Sequence, residues 1–234
     1  MQENEFLDFI AGLTEGFTPV VDAGFSVKEY IPVDLSAENK ELTPTALSTP
    51  EGLSKYLDGF LSRTGMKIAW GGYNEKRGLY RRSSLFSEAI DEDLVRDVHL
   101  GMDIWAPAGT PVLAVLDGRI HSFRDNDNFG DYGPTIILEH NFEERKFYTL
   151  YGHLSRASLQ ELKVGVRVNR GQQIAVLGSP LENGEYAPHL HFQIIKDPGN
   201  RIGDYPGVAC RKELSHYLQN CPDPNLLLKI PFSI

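Results

Sequence analysis

Two histidine-bearing segments constrain the fold of this chain more than any other feature. One reads Pro188-His189-Leu190-His191-Phe192, and the other, ninety residues earlier, reads His99-Leu100-Gly101-Met102-Asp103. In an extended strand successive side chains alternate faces, so His189 and His191 point to one side while Leu190 and Phe192 pack on the other. His99 and Asp103 are four apart, an even offset that places both on one face if that segment is also extended. A fold that brings the two segments together gathers nitrogen and oxygen donors at one point. Zinc takes such donors tetrahedrally, and a catalytic zinc keeps three protein ligands and leaves the fourth position open for water. A lone histidine beside a strand is most often hydrogen-bonded or solvated, so the signal is the conjunction. A further histidine, in Thr149-Leu150-Tyr151-Gly152-His153-Leu154, lies between the two segments.

The rest of the chain is read around these segments. Phe6, Leu7, Phe9, Ile10 and Leu13 recur at near-helical spacing and predict a short amphipathic helix within residues 1–16. Thr18 to Pro50 reads as an irregular connection with one short strand near Val33 and Leu35. A second helix is expected from Pro50, capped by Thr49 and ended by Gly65, with Leu53, Tyr56, Leu57, Phe60 and Leu61 on one face. The basic run Lys76, Arg77, Arg81, Arg82 has the charge to meet a carboxylate or phosphate, but it is read as a solvated charged turn and assigned no chemistry.

Beyond Val98 the pattern becomes β. Residues 111–116 and 119–123 flank Asp117-Gly118, which predicts a two-residue hairpin. Residues 135–140 and 146–151 form another candidate pair. Shorter strands follow at 166–168 and 173–177, around Asn169-Arg170-Gly171, and then the His189 strand. Many short strands at this spacing imply an antiparallel sandwich or open barrel. With the N-terminal helices the fold class is α+β. The expected division is an N-terminal extension over 1–94, a β domain over 95–197, and a tail over 198–234 that packs back through Leu226, Leu227 and Leu228.

Composition excludes several classes of partner. Acidic residues outnumber basic ones by 32 to 23, for a net charge of −9, and no basic stripe is present for nucleic acid. No run approaches membrane-spanning length. Met1 to Leu7 lacks the basic start and apolar stretch of a secretory signal, so the expected location is cytoplasmic, or periplasmic or secreted if the N-terminus is processed. Cys210 and Cys221, the two cysteines, are too few for a disulfide framework and are expected to be reduced structural thiols.

Taken in order, the motifs resemble a known family. His99-x-Gly101-x-Asp103, Ala106-Pro107-Ala108-Gly109-Thr110-Pro111-Val112, Asp117-Gly118, Tyr151-Gly152-His153-Leu154, Val164-Gly165, Gly171-Gln172 and His189-Leu190-His191-Phe192 are similar to the lysostaphin-type zinc metallopeptidases, over about residues 95–197. The resemblance implies a narrow antiparallel β groove with Zn2+ at its floor. It assigns His99, Asp103 and His191 to the metal, and His153 and His189 to water and substrate. It also implies a peptide or peptidoglycan-derived substrate, since members cut cell-wall cross-bridges or stems. A cytosolic hydrolase of a small amide or peptide is the alternative, as is a non-catalytic regulatory module, because some relatives lose their ligands and activate other hydrolases.

No H-E-x-x-H occurs, so imidazole rather than glutamate is expected to move the proton. Gln193 and Glu139 are the candidates for orienting a ligand histidine. His121, His140 and His216 are read as structural or solvated. The six residues before His99 hold no aromatic side chain to anchor a substrate.

Overall fold

The structure is a computed structural model that describes residues 3–87 and 91–232. Met1 and Gln2, at the start of the first expected helix, and residues 233–234, at the end of the expected tail, lie outside the described residues. In chain order the elements are α1 (Glu3–Gly12), β1 (Tyr30–Pro32), α2 (Pro44–Ser48), α3 (Pro50–Thr64), β2 (Ile68–Gly71), α4 (Ser84–Ser87), β3 (Arg96–His99) and β4 (Met102–Trp105). There follow β5 (Pro111–Leu113), β6 (Gly118–Asn126), β7 (Gly133–Phe142), β8 (Arg145–Gly152), β9 (Arg167–Val168) and β10 (Gln173–Val176). The chain ends with β11 (His189–Ile195), β12 (Val208–Cys210), α5 (Leu214–Asn220) and α6 (Asn225–Leu228).

Eight strands form one sheet in the order β1-β2-β4-β11-β8-β7-β6-β9. Its neighbours are antiparallel except β1 and β2, which run parallel. This is the α+β architecture with a large antiparallel sheet. Strand alternation divides the labour of β11: Leu190, Phe192 and Ile194 enter the main core with Ile136, Leu138, Phe147 and Tyr151, while His189, His191 and Gln193 take the other face. Helix α1 seals the core side, with Phe6 packed edge-on against Phe147 and Ile10 fully buried. Leu227 and Leu228 of α6 join the same core. Segments near the N- and C-terminal parts of the described chain are tied there, by Thr14 Oγ1 donating to the Leu227 carbonyl at 2.8 Å and Thr18 N to that of Leu228 at 2.9 Å.

Helix α3 forms as its sequence predicts. Thr49 Oγ1 accepts the Gly52 N–H at 3.1 Å, Pro50 occupies the first turn, and Gly65 ends the helix in the left-handed region. Its buried Leu53 and Leu57 pack with Val33, Leu35 and Trp105, so this helix braces the sheet beside the histidines. Strands β1 and β2 extend the same sheet past β4. The expected short strand falls at β1, just ahead of Val33.

The pairing of β7 with β8 agrees with the sequence, but the hairpin at Asp117-Gly118 does not form. Strand β5 pairs with β10, and β6 pairs with β7 and β9. Ala114, Val115 and Leu116 leave the strand to fill the core, and Asp117 is held from outside: its Oδ1 accepts the Arg170 N–H at 2.7 Å and its carbonyl accepts from His140 Nδ1 at 2.8 Å. Long-range burial outweighs the local turn preference. The turn at Asn169-Arg170-Gly171 likewise passes the chain from one sheet to another instead of closing a hairpin. Both cysteines are free and buried. Among the described residues no helix is long and apolar enough to cross a membrane.

His140 is fully buried, with Nε2 accepting from Thr149 Oγ1 at 2.8 Å, and is structural, as its sequence context suggests. Burial pulls its pKa down to about 4. In an unfolded chain imidazole titrates near about 6.5, so below that pH the unfolded state takes a proton that the folded state refuses. Stability present above about pH 6.5 is therefore lost as pH falls toward about 4. In urea denaturation across that window, His140→Gln is expected to flatten the dependence of unfolding free energy on pH by up to one proton, about 1.4 kcal/mol per pH unit. An unchanged slope would show that the His140 proton does not contribute.

Candidate metal centre

The donors converge by a different route from a single extended face. His99 ends β3, which pairs with β12, while Asp103 lies in β4 of the main sheet, directly opposite His191 of β11. The chain turns at Leu100-Gly101 between them. A Cβ at Gly101 would come within 2.5 Å of the His191 ring and 2.8 Å of the Phe192 carbonyl, so the close approach requires glycine. The resulting triangle has His99 Nε2 2.8 Å from His191 Nδ1, with Asp103 Oδ1 3.3 Å from the first and 3.2 Å from the second. All three side chains are buried and are placed to share a metal ion.

Hydrogen bonds on the far side of each ring decide what faces this triangle. His99 Nδ1 donates to the Gly72 carbonyl at 2.9 Å, which leaves Nε2 bare. His191 Nε2 donates to Gln193 Oε1 at 3.0 Å, which leaves Nδ1 bare. The Gln193 amide is itself fixed, because its Nε2 donates to the Pro206 carbonyl at 3.1 Å and lies 3.1 Å from Cys221 Sγ. Burial, with the Arg77 charge next, pulls His99 down to about 3, so protonation of that ring is opposed. Burial also opposes ionisation of Asp103, but His99, the Arg77 guanidinium and the other imidazoles outweigh it and hold the carboxyl well below its usual range. Two lone pairs and a carboxylate oxygen thus point at one another, which is repulsive without a cation between them. Tetrahedral ligands at bond lengths of about 2.0–2.2 Å stand about 3.3–3.6 Å apart, near the two sides of this triangle that meet at Asp103 Oδ1, while the side between His99 and His191 is shorter at 2.8 Å. The residues present fit a metal.

His153 and His189 lie beside the triangle, with ring centres 4.2 Å apart. His153 Nδ1 donates to the Asn183 carbonyl at 2.8 Å and His189 Nδ1 to that of Ala187 at 2.7 Å. Each Nε2 is therefore a bare acceptor. Burial lowers the pKa of both, most strongly for His153, where His189 adds to the effect. His189 Nε2 is 3.8 Å from Asp103 Oδ1.

Residues 97–202 match peptidase family M23. Over 97 residues the chain is 34% identical to the peptidoglycan DD-endopeptidase ShyC of Vibrio cholerae, covering 42% of this chain and 20% of that protein. Over 95 residues it is 38% identical to the glycyl-glycine endopeptidase ALE-1 of Staphylococcus capitis, covering 41% and 24%. Over 109 residues it is 36% identical to the murein hydrolase activator EnvC of Escherichia coli, covering 47% and 23%. The chain therefore spans about a quarter or less of the length of these relatives. Among solved structures, the catalytic domain of lysostaphin from Staphylococcus simulans is 28% identical, with 52% of this chain and 80% of that chain covered at a TM-score of 0.36.

Around these histidines the structure corrects three expectations. Arg77 is not solvated: it is 2% exposed, with Nη1 2.5 Å from Asp103 Oδ2. Glu139 pairs with Lys146 at 3.1 Å and orients no ligand, whereas Gln193 does. Aromatic side chains do line the cleft, although the six residues before His99 hold none. Trp105 stacks on His189 with centres 5.8 Å apart, Tyr186 stands edge-on to His153 at 5.0 Å, and Tyr132 lies 5.0 Å from His191. These arrive from separate strands and loops, so no local run announces them. His121 contacts Ser122 Oγ, and His216 is exposed on α5; both stand outside the cleft lining.

Gly101→Ala tests how tightly the centre is packed. Overpacking of this kind costs about 1–3 kcal/mol, and Tm should fall by about 2–4 °C for each kcal/mol lost. A thermal melt identical to the parent's would show that the His191 ring has room to move.

Proposed function

We propose that this chain is a zinc-dependent endopeptidase whose substrates are peptides of the peptidoglycan type. The observation that carries the reading is the buried triangle of bare donors with two neutral imidazoles beside it in an open cleft. His99 Nε2, Asp103 Oδ1 and His191 Nδ1 would hold the zinc. When bound, zinc makes a water nucleophilic near neutral pH and polarises a scissile carbonyl. His153 Nε2 and His189 Nε2 supply the proton transfers: one accepts a proton as water attacks, and the proton is returned to the leaving amine. Their Nδ1 bonds to backbone carbonyls hold both rings in the tautomer that this needs. Burial keeps both rings unprotonated at neutral pH, ready to accept.

The substrate class rests on the similarity to the DD-endopeptidase and the glycyl-glycine endopeptidase. The cleft agrees with it: about 310 Å³ in volume, it is walled by Trp105, Tyr132 and Tyr186 and accepts an extended segment better than a globular partner. Similarity to a murein hydrolase activator favours a second reading, a regulatory module that binds without cutting.

One experiment separates these readings. Zinc-loaded protein is incubated with purified cross-linked peptidoglycan fragments and, in parallel, with short soluble amides, and new amino termini are counted. Cleavage of the fragments is expected. His153→Ala and His189→Ala should keep one zinc per chain by elemental analysis and lose activity by about a hundredfold to ten-thousandfold, whereas His191→Ala should lose the zinc. Full zinc occupancy with no new amino termini from either substrate would establish the regulatory reading. Cleavage of the soluble amides alone would move the substrate away from the cell wall.

A further inference from the structure

The Asp103 carboxylate has two oxygens, and only Oδ1 faces the histidine nitrogens. The other is claimed by Arg77, whose Nη1 lies 2.5 Å from Oδ2. Arg77 is held in turn by Glu75, whose Oε2 accepts from its Nε at 2.6 Å, while Glu75 Oε1 accepts the Leu35 N–H at 3.1 Å. The backbone fixes the segment that carries both residues. Asn74 N donates to the His99 carbonyl at 2.9 Å, His99 N to that of Glu75 at 2.9 Å, and Arg77 N to that of Asp97 at 2.8 Å. Extended pairing along this stretch turns Glu75 and Arg77 inward and sends Lys76 out to Asp97, 3.5 Å away. Gly72 completes the cradle: a Cβ there would stand 1.8 Å from the guanidinium and 3.0 Å from His99 Nδ1.

We propose that Arg77 is a positioning residue for Asp103, holding Oδ2 so that the carboxylate offers one oxygen to the metal, with Glu75 as its anchor. The inference rests on the zinc reading above and deepens it. A free carboxylate can rotate to present both oxygens, which raises the coordination number and takes up the open position that a water or substrate carbonyl needs. The planar guanidinium suits this role, because it donates in two fixed directions, one toward each carboxylate. Glu75 balances its charge, so a buried cation is placed against the ligand shell without a net charge of its own.

Cobalt(II) reports the geometry directly, because a four-coordinate site absorbs intensely in the visible and higher coordination absorbs weakly. The parent, Arg77→Gln, Arg77→Lys and Glu75→Gln are titrated with Co2+, with affinity measured against a competing chelator. The parent should bind one Co2+ with the intense spectrum. Arg77→Gln should bind about tenfold to a hundredfold more weakly, with a weakened visible band, and Arg77→Lys should recover part of the affinity because the charge remains and the fork does not. Parent-like affinity and spectrum in folded Arg77→Gln would overturn the positioning role and leave the zinc reading standing. Failure of the parent itself to bind Co2+ would overturn the zinc reading, and this inference with it. If Arg77→Gln does not fold, as judged by circular dichroism, the decision passes to Glu75→Gln, which keeps Arg77 and removes its anchor. There a loss of affinity with an altered band supports the proposal, and parent-like values in both overturn it.

Discussion

The centre depends on one register: Asp103 of β4 stands directly opposite His191 of β11. Side chains in a strand alternate with a period of two, so a slip of one residue between these strands would swap the donors for Leu190 or Phe192. The core prevents the slip. Leu190, Phe192 and Ile194 are fully buried on the other face, and exposing them would cost about 1.5–3 kcal/mol each. The hydrophobic side of β11 thus determines where its polar side points. On the far edge of β4, strand β2 adds a second constraint by pairing Gly71 with Asp103.

Around that register the protein fixes each donor by what lies behind it. A carbonyl backs three of the four imidazoles, and the Gln193 amide backs the fourth. Backbone carbonyls do not titrate or rotate, so the tautomers persist across the pH range in which the rings stay neutral. His153 adds a backbone element of its own, since its φ of 62° lies in the left-handed region. The conformation is held by its N–H bonding to the Tyr132 carbonyl and its own carbonyl accepting from Gly178.

Much of this was legible in the sequence where a pattern is local. The alternation of His189 to Phe192, the cap and end of α3, and the pairing of β7 with β8 follow from neighbours a few residues apart. The Asp117-Gly118 hairpin failed because a turn preference is local, whereas the partners of β5 and β6 are chosen by burial of Ala114 to Leu116 and by Arg170 and His140 from distant segments. Arg77 was missed for a related reason. Within a basic run, charge alone does not distinguish the solvated residue from the buried one. Strand parity does, sending Lys76 outward and Arg77 inward, and parity becomes visible only once β3 is known to lie alongside. The aromatic walls escaped notice because Trp105, Tyr132 and Tyr186 share no window of sequence.

The tie between the stretch after α1 and helix α6 places both on one side of the sheet. Thr14 and Thr18 bond to the carbonyls of Leu227 and Leu228, and α1 and α6 both pack on the sheet face turned away from the histidines. The stretch from Thr14 to Thr18 and the one at Leu227 and Leu228 therefore both lie at the back of the sheet, with the core between them and the cleft. Tethers, tags or partner modules attached there would stand clear of an incoming strand.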